Sequence, residues 1–291
     1  MSSNPKDVRD LLAFYVEAGA DALLGEEAVD RMADEVAASP PPAGGRPDSE
    51  AVRVGGSTQR TVSGHSPTPD RLQRSGPPPA GESKALATPD AAMMAAREAA
   101  RTAANLDDLR KLLEGFEGCS LRNTATQLVF ADGNPEGRVM FVGEAPGHEE
   151  DISGRPFVGR SGKLLDRMIE AIGLDRSKVY IANVVPRRPP GNRTPTPQET
   201  AICLPFIRRQ IELADPDILV CLGGPSMQTL LGTKDGITRM RGRWFPFDTG
   251  TREIKAMATF HPAFLLRSPL QKRLSWRDFL AIKKALAEKA T

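Results

Sequence analysis

The chain has 291 residues, enough for one large domain or two small ones. Aromatic residues make up only 5%, while glycine and proline number 26 and 25, a balance that predicts one ordered core plus a sizeable unstructured part. Three features exclude whole classes: no apolar run reaches the ~18 residues of a membrane span; the polar start Met1–Arg9 is no signal peptide; and Cys119, Cys203 and Cys221, with no CxxC pair, make no disulfide framework and fit a reducing cytoplasm.

The net charge of +2 hides an asymmetry. Residues 1–37 hold nine acids against three basic residues, a net of −6, which leaves +8 for the remainder. A basic body suits an anionic partner such as nucleic acid. Within residues 5–37, Leu11, Leu12, Tyr15 and Val16 recur at helix spacing and predict an acidic amphipathic helical segment. Residues 38–90 read as a linker: ten prolines fall between Pro40 and Pro89, and no Phe, Trp or Tyr is present to offset the entropy of ordering. The domain proper is expected over 91–291. It opens with an Ala-rich helix over 91–104 and a second helix, Leu106 to Leu113, capped by Asn105.

From Phe116 the pattern alternates strand and helix. Strands are expected at Val139–Val142, Val179–Ala182, Ile218–Leu222 and Lys255–Phe260, with a short edge strand at Trp244–Phe247. Helices are expected from the N-cap Ser161, over 198–214, after Pro225 and over 275–289. This order predicts a three-layer α/β/α fold around a central four-stranded parallel sheet. Glu144, Asn183, Gly223-Gly224 and His261 each follow or end a strand, at the sheet edge where open α/β folds bind ligands.

Known motifs are absent from that edge. GRSGKL has neither Walker A spacing nor the following Ser or Thr, GEAPGH is no dinucleotide fingerprint, no Cys/His spacing suits zinc, and no G-x-S-x-G elbow occurs near a strand end. What remains is Glu144, Asp151, Asn183, His261 and Phe157. Asn can read an imide edge, Phe offers a face for a base, His can donate to an oxygen gaining charge, and an acid can orient or deprotonate water. Such parts suit cleavage between a sugar and a planar leaving group.

Residues 116–289 resemble the uracil-DNA glycosylase superfamily, and within it family 4, through GEAPGHEEDISGRPFVGRSGKLLDRMIEAIGL, VYIANVVPRRPPGNRTPTPQE and HPAFLLR. The resemblance implies hydrolysis of the N-glycosidic bond of uracil in DNA, leaving an abasic site for base excision repair. It implies a pocket floor from Gly143, Ala145 and Gly147 with backbone amides facing the base, stacking by Phe157, reading by Asn183 and leaving-group stabilisation by His261. Gly159, Arg160, Ser161 and Gly162 would hold DNA phosphates, Asn192 would shape the pocket or hold the strand, and Pro262 to Arg267 would lie against the duplex. Two departures stand out. Family 4 holds an iron–sulfur cluster on four cysteines; here only Cys119 and Cys203 keep their positions, Phe116 and Arg187 standing at the others, so no cluster and no metal are expected. The Asp that activates water in related enzymes is replaced by Ala145, which leaves Glu144 and Asp151 as candidate catalytic acids beside His261.

Glu149 and Glu150 are expected on a solvated face, His148 is expected exposed, and Cys221 is expected in the core. Arg187 and Arg188 are open between phosphate contact and filling the lost cluster's surroundings. The expected partner is uracil-containing DNA, single- or double-stranded, bound by a cytoplasmic, nucleoid-associated monomer that touches no membrane. The alternatives are a non-catalytic or weakly catalytic binder of damaged or abasic DNA, and an α/β enzyme for a small phosphorylated ligand.

Overall fold

A computed structural model describes residues 88–288. The expected acidic segment over 5–37 and the linker, up to residue 87, lie outside the described residues.

Among the described residues, two α-helices precede the sheet. Helix α1 (Pro89–Thr102) starts on Thr88, whose hydroxyl accepts the Ala91 amide at 3.4 Å, and buries Ala92, Ala96 and Ala100 on one face. Those small residues at four-residue spacing let its backbone approach α5 (Pro197–Ala214) closely. Helix α2 (Leu106–Gly115) is capped by Asn105, as its sequence predicts, and buries Leu109 and Leu113.

The sheet has six strands in the order β1-β3-β2-β4-β6-β5. Its centre is the expected parallel set: β2 (Val139–Gly143), β3 (Val179–Asn183), β4 (Ile218–Leu222) and β6 (Glu253–Thr259). Strand β5 (Trp244–Asp248) is the expected edge strand and runs antiparallel to β6. The other edge carries an unexpected antiparallel strand, β1 (Asp132–Gly133). An aspartate and a glycine give no periodic signal; what holds them is pairing with β3, continued by the Asn134 amide on the Val179 carbonyl at 2.8 Å.

Strands β2, β3 and β4 are buried at every position because both faces are covered. Side chains alternate between two cores. Met140, Val142, Tyr180, Ala182, Leu219 and Cys221 join α1, α2 and α5. Val139, Phe141, Val179, Ile181, Ile218 and Val220 join α4 (Arg160–Glu170) and α9 (Lys272–Glu288). Helix α4 is capped by Gly159, not by Ser161, which sits inside its first turn.

Register sets the functional edge. Gly143 at the end of β2 pairs with Asn183 at the end of β3, and Leu222 at the end of β4 pairs with Thr259 at the end of β6. The Gly223 amide donates to the Thr259 carbonyl at 2.8 Å, and two residues on, His261 caps the short helix α8 (Pro262–Arg267). Glu144, Asn183, Gly223 and His261 therefore converge although they are far apart in sequence.

Candidate active site

At this edge lies a cavity of about 230 Å³ whose lining includes Glu144, Ala145, Gly147, Phe157, Ser161, Asn183, Asn192 and His261. Its inner wall depends on glycine. A Cβ on Gly143 would stand 2.4 Å from Asn183 Oδ1 and 2.6 Å from the Phe157 ring, so only a residue without a side chain admits both. Phe157 is buried with a left-handed backbone (φ 55°), unusual for an aromatic residue. It fits because Gly162 leaves room: a Cβ there would stand 1.8 Å from the Phe157 carbonyl oxygen. The Phe157 and His261 rings lie 5.5 Å apart at 33°.

Glu150 fastens this wall. It lies in α3 (His148–Ser153), and one carboxylate oxygen accepts the Val158 and Gly159 amides, each at 3.0 Å. The other oxygen accepts the Gly147 amide at 3.1 Å. One buried carboxylate thus ties the loop after β2 to the turn that carries Phe157. The expectation of a solvated Glu150 is corrected; Glu149 and His148 are exposed as expected. The available signal was Gly147 followed by Glu three residues later, half of a capping box.

Two acceptors in the cavity are buried without a protein partner: Glu144 Oε1 and Asn183 Oδ1. Buried polar atoms are rarely left so, and two in one cavity call for a ligand that donates hydrogen bonds. Burial pushes the Glu144 carboxyl above the usual carboxylate range. His261 is held differently. Burial, aided by Arg267 and opposed by Glu150, pulls its pKa down to about 4. Its Nδ1 accepts the Ala263 amide at 3.1 Å. That bond requires an unprotonated Nδ1, so the neutral ring carries its proton on Nε2.

Other expected site residues lie elsewhere. Asp151 is not in the cavity wall: its buried carboxylate accepts the Thr126 amide and hydroxyl, both at 2.9 Å, and faces Arg188 at 3.8 Å. The Gly147 and Gly159 amides are occupied by Glu150, so neither faces a ligand. Pro262 is buried, as is Leu265, which turns that side of α8 inward; Arg267 is exposed. Of the expected DNA contacts, Arg160, Asn192 and Arg267 are exposed, Ser161 lines the cavity, and Gly159 and Gly162 are buried. In the first turn of α4, the Arg160, Ser161 and Gly162 amides have no intrahelical acceptor.

The two cysteines at cluster positions are both buried and perturb each other: the neighbouring Cys203 pulls the Cys119 thiol down, while Cys119 and burial push Cys203 up. Around them stand groups that ligate no iron. Phe116 packs edge-on against Phe206 at 5.0 Å. Arg187 is buried and donates to the Leu113 and Glu114 carbonyls at the end of α2, at 3.3 and 3.5 Å. Two thiols, an aromatic ring and a guanidinium do not fit a cluster that needs four thiolates. Among the described residues no group of three or more His, Cys, Asp or Glu could hold a metal ion.

Residues 130–282 match the model of the family described as the uracil DNA glycosylase superfamily. The chain is 38% identical over 189 residues to a type-4 uracil-DNA glycosylase of Archaeoglobus fulgidus, covering 64% of this chain and 95% of that protein. It is 46% identical over 151 residues to one of Thermotoga maritima (52% of this chain, 77% of that protein). It is 40% identical over 186 residues to one of Sulfurisphaera tokodaii (61% and 84%).

Two measurements test this geometry. Gly162→Ala forces Phe157 from its place and is expected to cost about 1–3 kcal/mol in urea unfolding; a loss below 0.5 kcal/mol, the range of about ±0.5 typical of surface substitutions, would contradict the crowding. His261 should titrate near 4 in NMR spectra of the folded protein. The unfolded chain takes up this proton near pH 6.5 and the folded state only near 4, so stability is lost as pH falls through that window. A midpoint near 6.5 would rule out the enclosed neutral ring.

Proposed function

Because this chain belongs to the uracil DNA glycosylase superfamily and acts as a uracil-DNA glycosylase in DNA repair, we propose that Phe157, Asn183, His261 and Glu144 carry out the release of uracil. The observation that carries the assignment is the pair of unpartnered acceptors in a cavity closed by an aromatic ring.

A base inside the duplex is out of reach, so the uracil nucleotide is flipped into the cavity. Phe157 stacks on the ring. Asn183 Oδ1 accepts the uracil N3–H, and its Nδ2 donates to O4. Cytosine presents the opposite polarity at both atoms, which would leave Asn183 unpaired twice over; sites built this way reject the wrong partner strongly. As the glycosidic bond lengthens, negative charge gathers on uracil O2, and the Nε2–H of His261 donates to it. A neutral donor gives no proton away in this step, and uracil leaves as an anion. The Glu144 carboxylate faces the sugar side, where it balances the oxocarbenium-like charge and takes a proton from the incoming water. Asp151, engaged with Thr126 and Arg188, has no part in the chemistry.

DNA is held by the first-turn amides of α4 with Arg160 and Ser161, by Asn192, and by Arg267 on the exposed side of α8. A helix N-terminus offers its amides and dipole to a phosphate. The enzyme works in the cytoplasm as a monomer on uracil-containing DNA. It works without an iron–sulfur cluster, Phe116 and Arg187 filling with packing and hydrogen bonds the space that two further thiolates would need.

Release of uracil from a labelled oligonucleotide under single turnover is the decisive assay. His261→Ala should slow it by about 10²–10³-fold with unchanged circular dichroism; a wild-type rate would remove His261 from the mechanism. If the wild-type protein binds abasic DNA but releases no base, it is a binder. Protein purified without oxygen should contain no iron and, on unfolding, yield the three thiols of Cys119, Cys203 and Cys221. Stoichiometric iron would overturn the cluster-free reading.

A further inference from the structure

Asn192 stands on the cavity rim, on the 3₁₀ turn Pro190–Asn192 of the loop after β3. Its backbone is left-handed (φ 57°), directly after a left-handed Gly191 (φ 64°), and its amide donates to the Pro189 carbonyl at 3.1 Å. The turn thus fixes where Asn192 sits. It does not fix which end of the side-chain amide faces the cavity.

Arg188 does. Its Nε donates to Asn192 Oδ1 at 2.6 Å. A guanidinium has donors only, so the atom it meets must be the amide oxygen. The same guanidinium is anchored on α3, donating to His148 Nδ1 at 3.2 Å and facing the buried Asp151 carboxylate at 3.8 Å. Asp151 is itself fixed by Thr126.

We propose that Arg188 is a positioning residue that holds the Asn192 amide with its NH2 group free for an acceptor oxygen in the substrate complex. Glu144 and Asn183, which line this cavity, each carry an unpartnered buried acceptor; Asn192 adds a donor at its rim. The inference rests on the glycosylase reading. It gives Asp151 a role at one remove from the chemistry: through Arg188 it steadies the loop that carries Asn192. Arg188 is therefore distinct from a phosphate contact, whose effect would be independent of Asn192.

Two readouts test it. In ¹H–¹⁵N spectra of the full-length protein, the side-chain NH2 pair of Asn192, identified by its loss in Asn192→Ala, should shift or broaden in Arg188→Ala. Arg188→Lys keeps the charge near Asp151 but not the fork, and should change the signal likewise. An unchanged NH2 pair in both variants would overturn the proposal. In single-turnover uracil release, Arg188→Ala should be about tenfold slower, and Arg188→Ala/Asn192→Ala no slower than Asn192→Ala. Losses that multiply in the double variant, or that vanish at high salt as for a phosphate contact, would overturn it. A wild-type protein that releases no uracil would sink the glycosylase reading, while the spectra would still decide the orientation of Asn192.

Discussion

The site depends on one buried carboxylate. Desolvating Glu150 is costly unless its oxygens are satisfied, and three backbone amides at 3.0–3.1 Å satisfy them. Those amides come from both sides of the pocket wall: Gly147 follows β2, while Val158 and Gly159 lead into α4. Joining them sets the turn in which Phe157 adopts its left-handed backbone, and that turn brings its carbonyl against Gly162. It also starts α4 at Gly159, two residues before the Ser161 cap that the sequence suggests. The aromatic wall and the helix start, with the first-turn amides proposed to hold a phosphate, thus follow from a single set of hydrogen bonds.

The sheet supplies the opposite wall. Parallel pairing places Gly143 beside Asn183, and the absence of a side chain on the first leaves room for the amide of the second. His261 arrives from the far side of β4, held by a short helix it caps with its own ring. That cap makes a histidine useful while neutral. With Nδ1 committed to Ala263, the proton on Nε2 has one direction in which to be donated, and burial keeps a second proton off the ring above a pH of about 4.

Much of this was legible in the sequence, for a physical reason. Alternation between two cores gives each strand an unbroken apolar run, and residues of the proposed site follow those runs; Val139–Val142 before Glu144 and Val179–Ala182 before Asn183 are found by pattern alone. The helix caps Thr88 and Asn105 act on neighbours three residues away, and Asn105 was readable as such. The three consecutive acids were not. Successive residues of α3 point in different directions: Glu149 meets solvent, Glu150 meets amides eight and nine residues on, and Asp151 meets Thr126, twenty-five residues back. Which acid is buried is decided by partners that no local pattern contains. Strand β1 escaped for the same reason, since Asp132 and Gly133 are held by pairing with β3 and not by a local pattern.

Under the proposed assignment, the partners of Asp151 leave the role of catalytic acid to Glu144. With Ala145 offering no carboxylate and Asp151 bound to Thr126, Glu144 is, among the described residues, the cavity-lining acid with an unpartnered carboxylate oxygen. Burial raises its pKa, which makes it a better proton acceptor once ionised but lowers the fraction ionised in mildly acid solution. An enzyme so equipped gains more by stabilising the departing anion than by sharpening the attacking water. A preorganised donor needs no reorganisation as charge develops, and that kind of stabilisation is often the largest single contribution to catalysis. The proposed roles agree with this weighting: Asn183 and His261, assigned to the base, are fixed by strand register and by a helix cap, while Glu144, assigned to the water, is a partly exposed carboxylate.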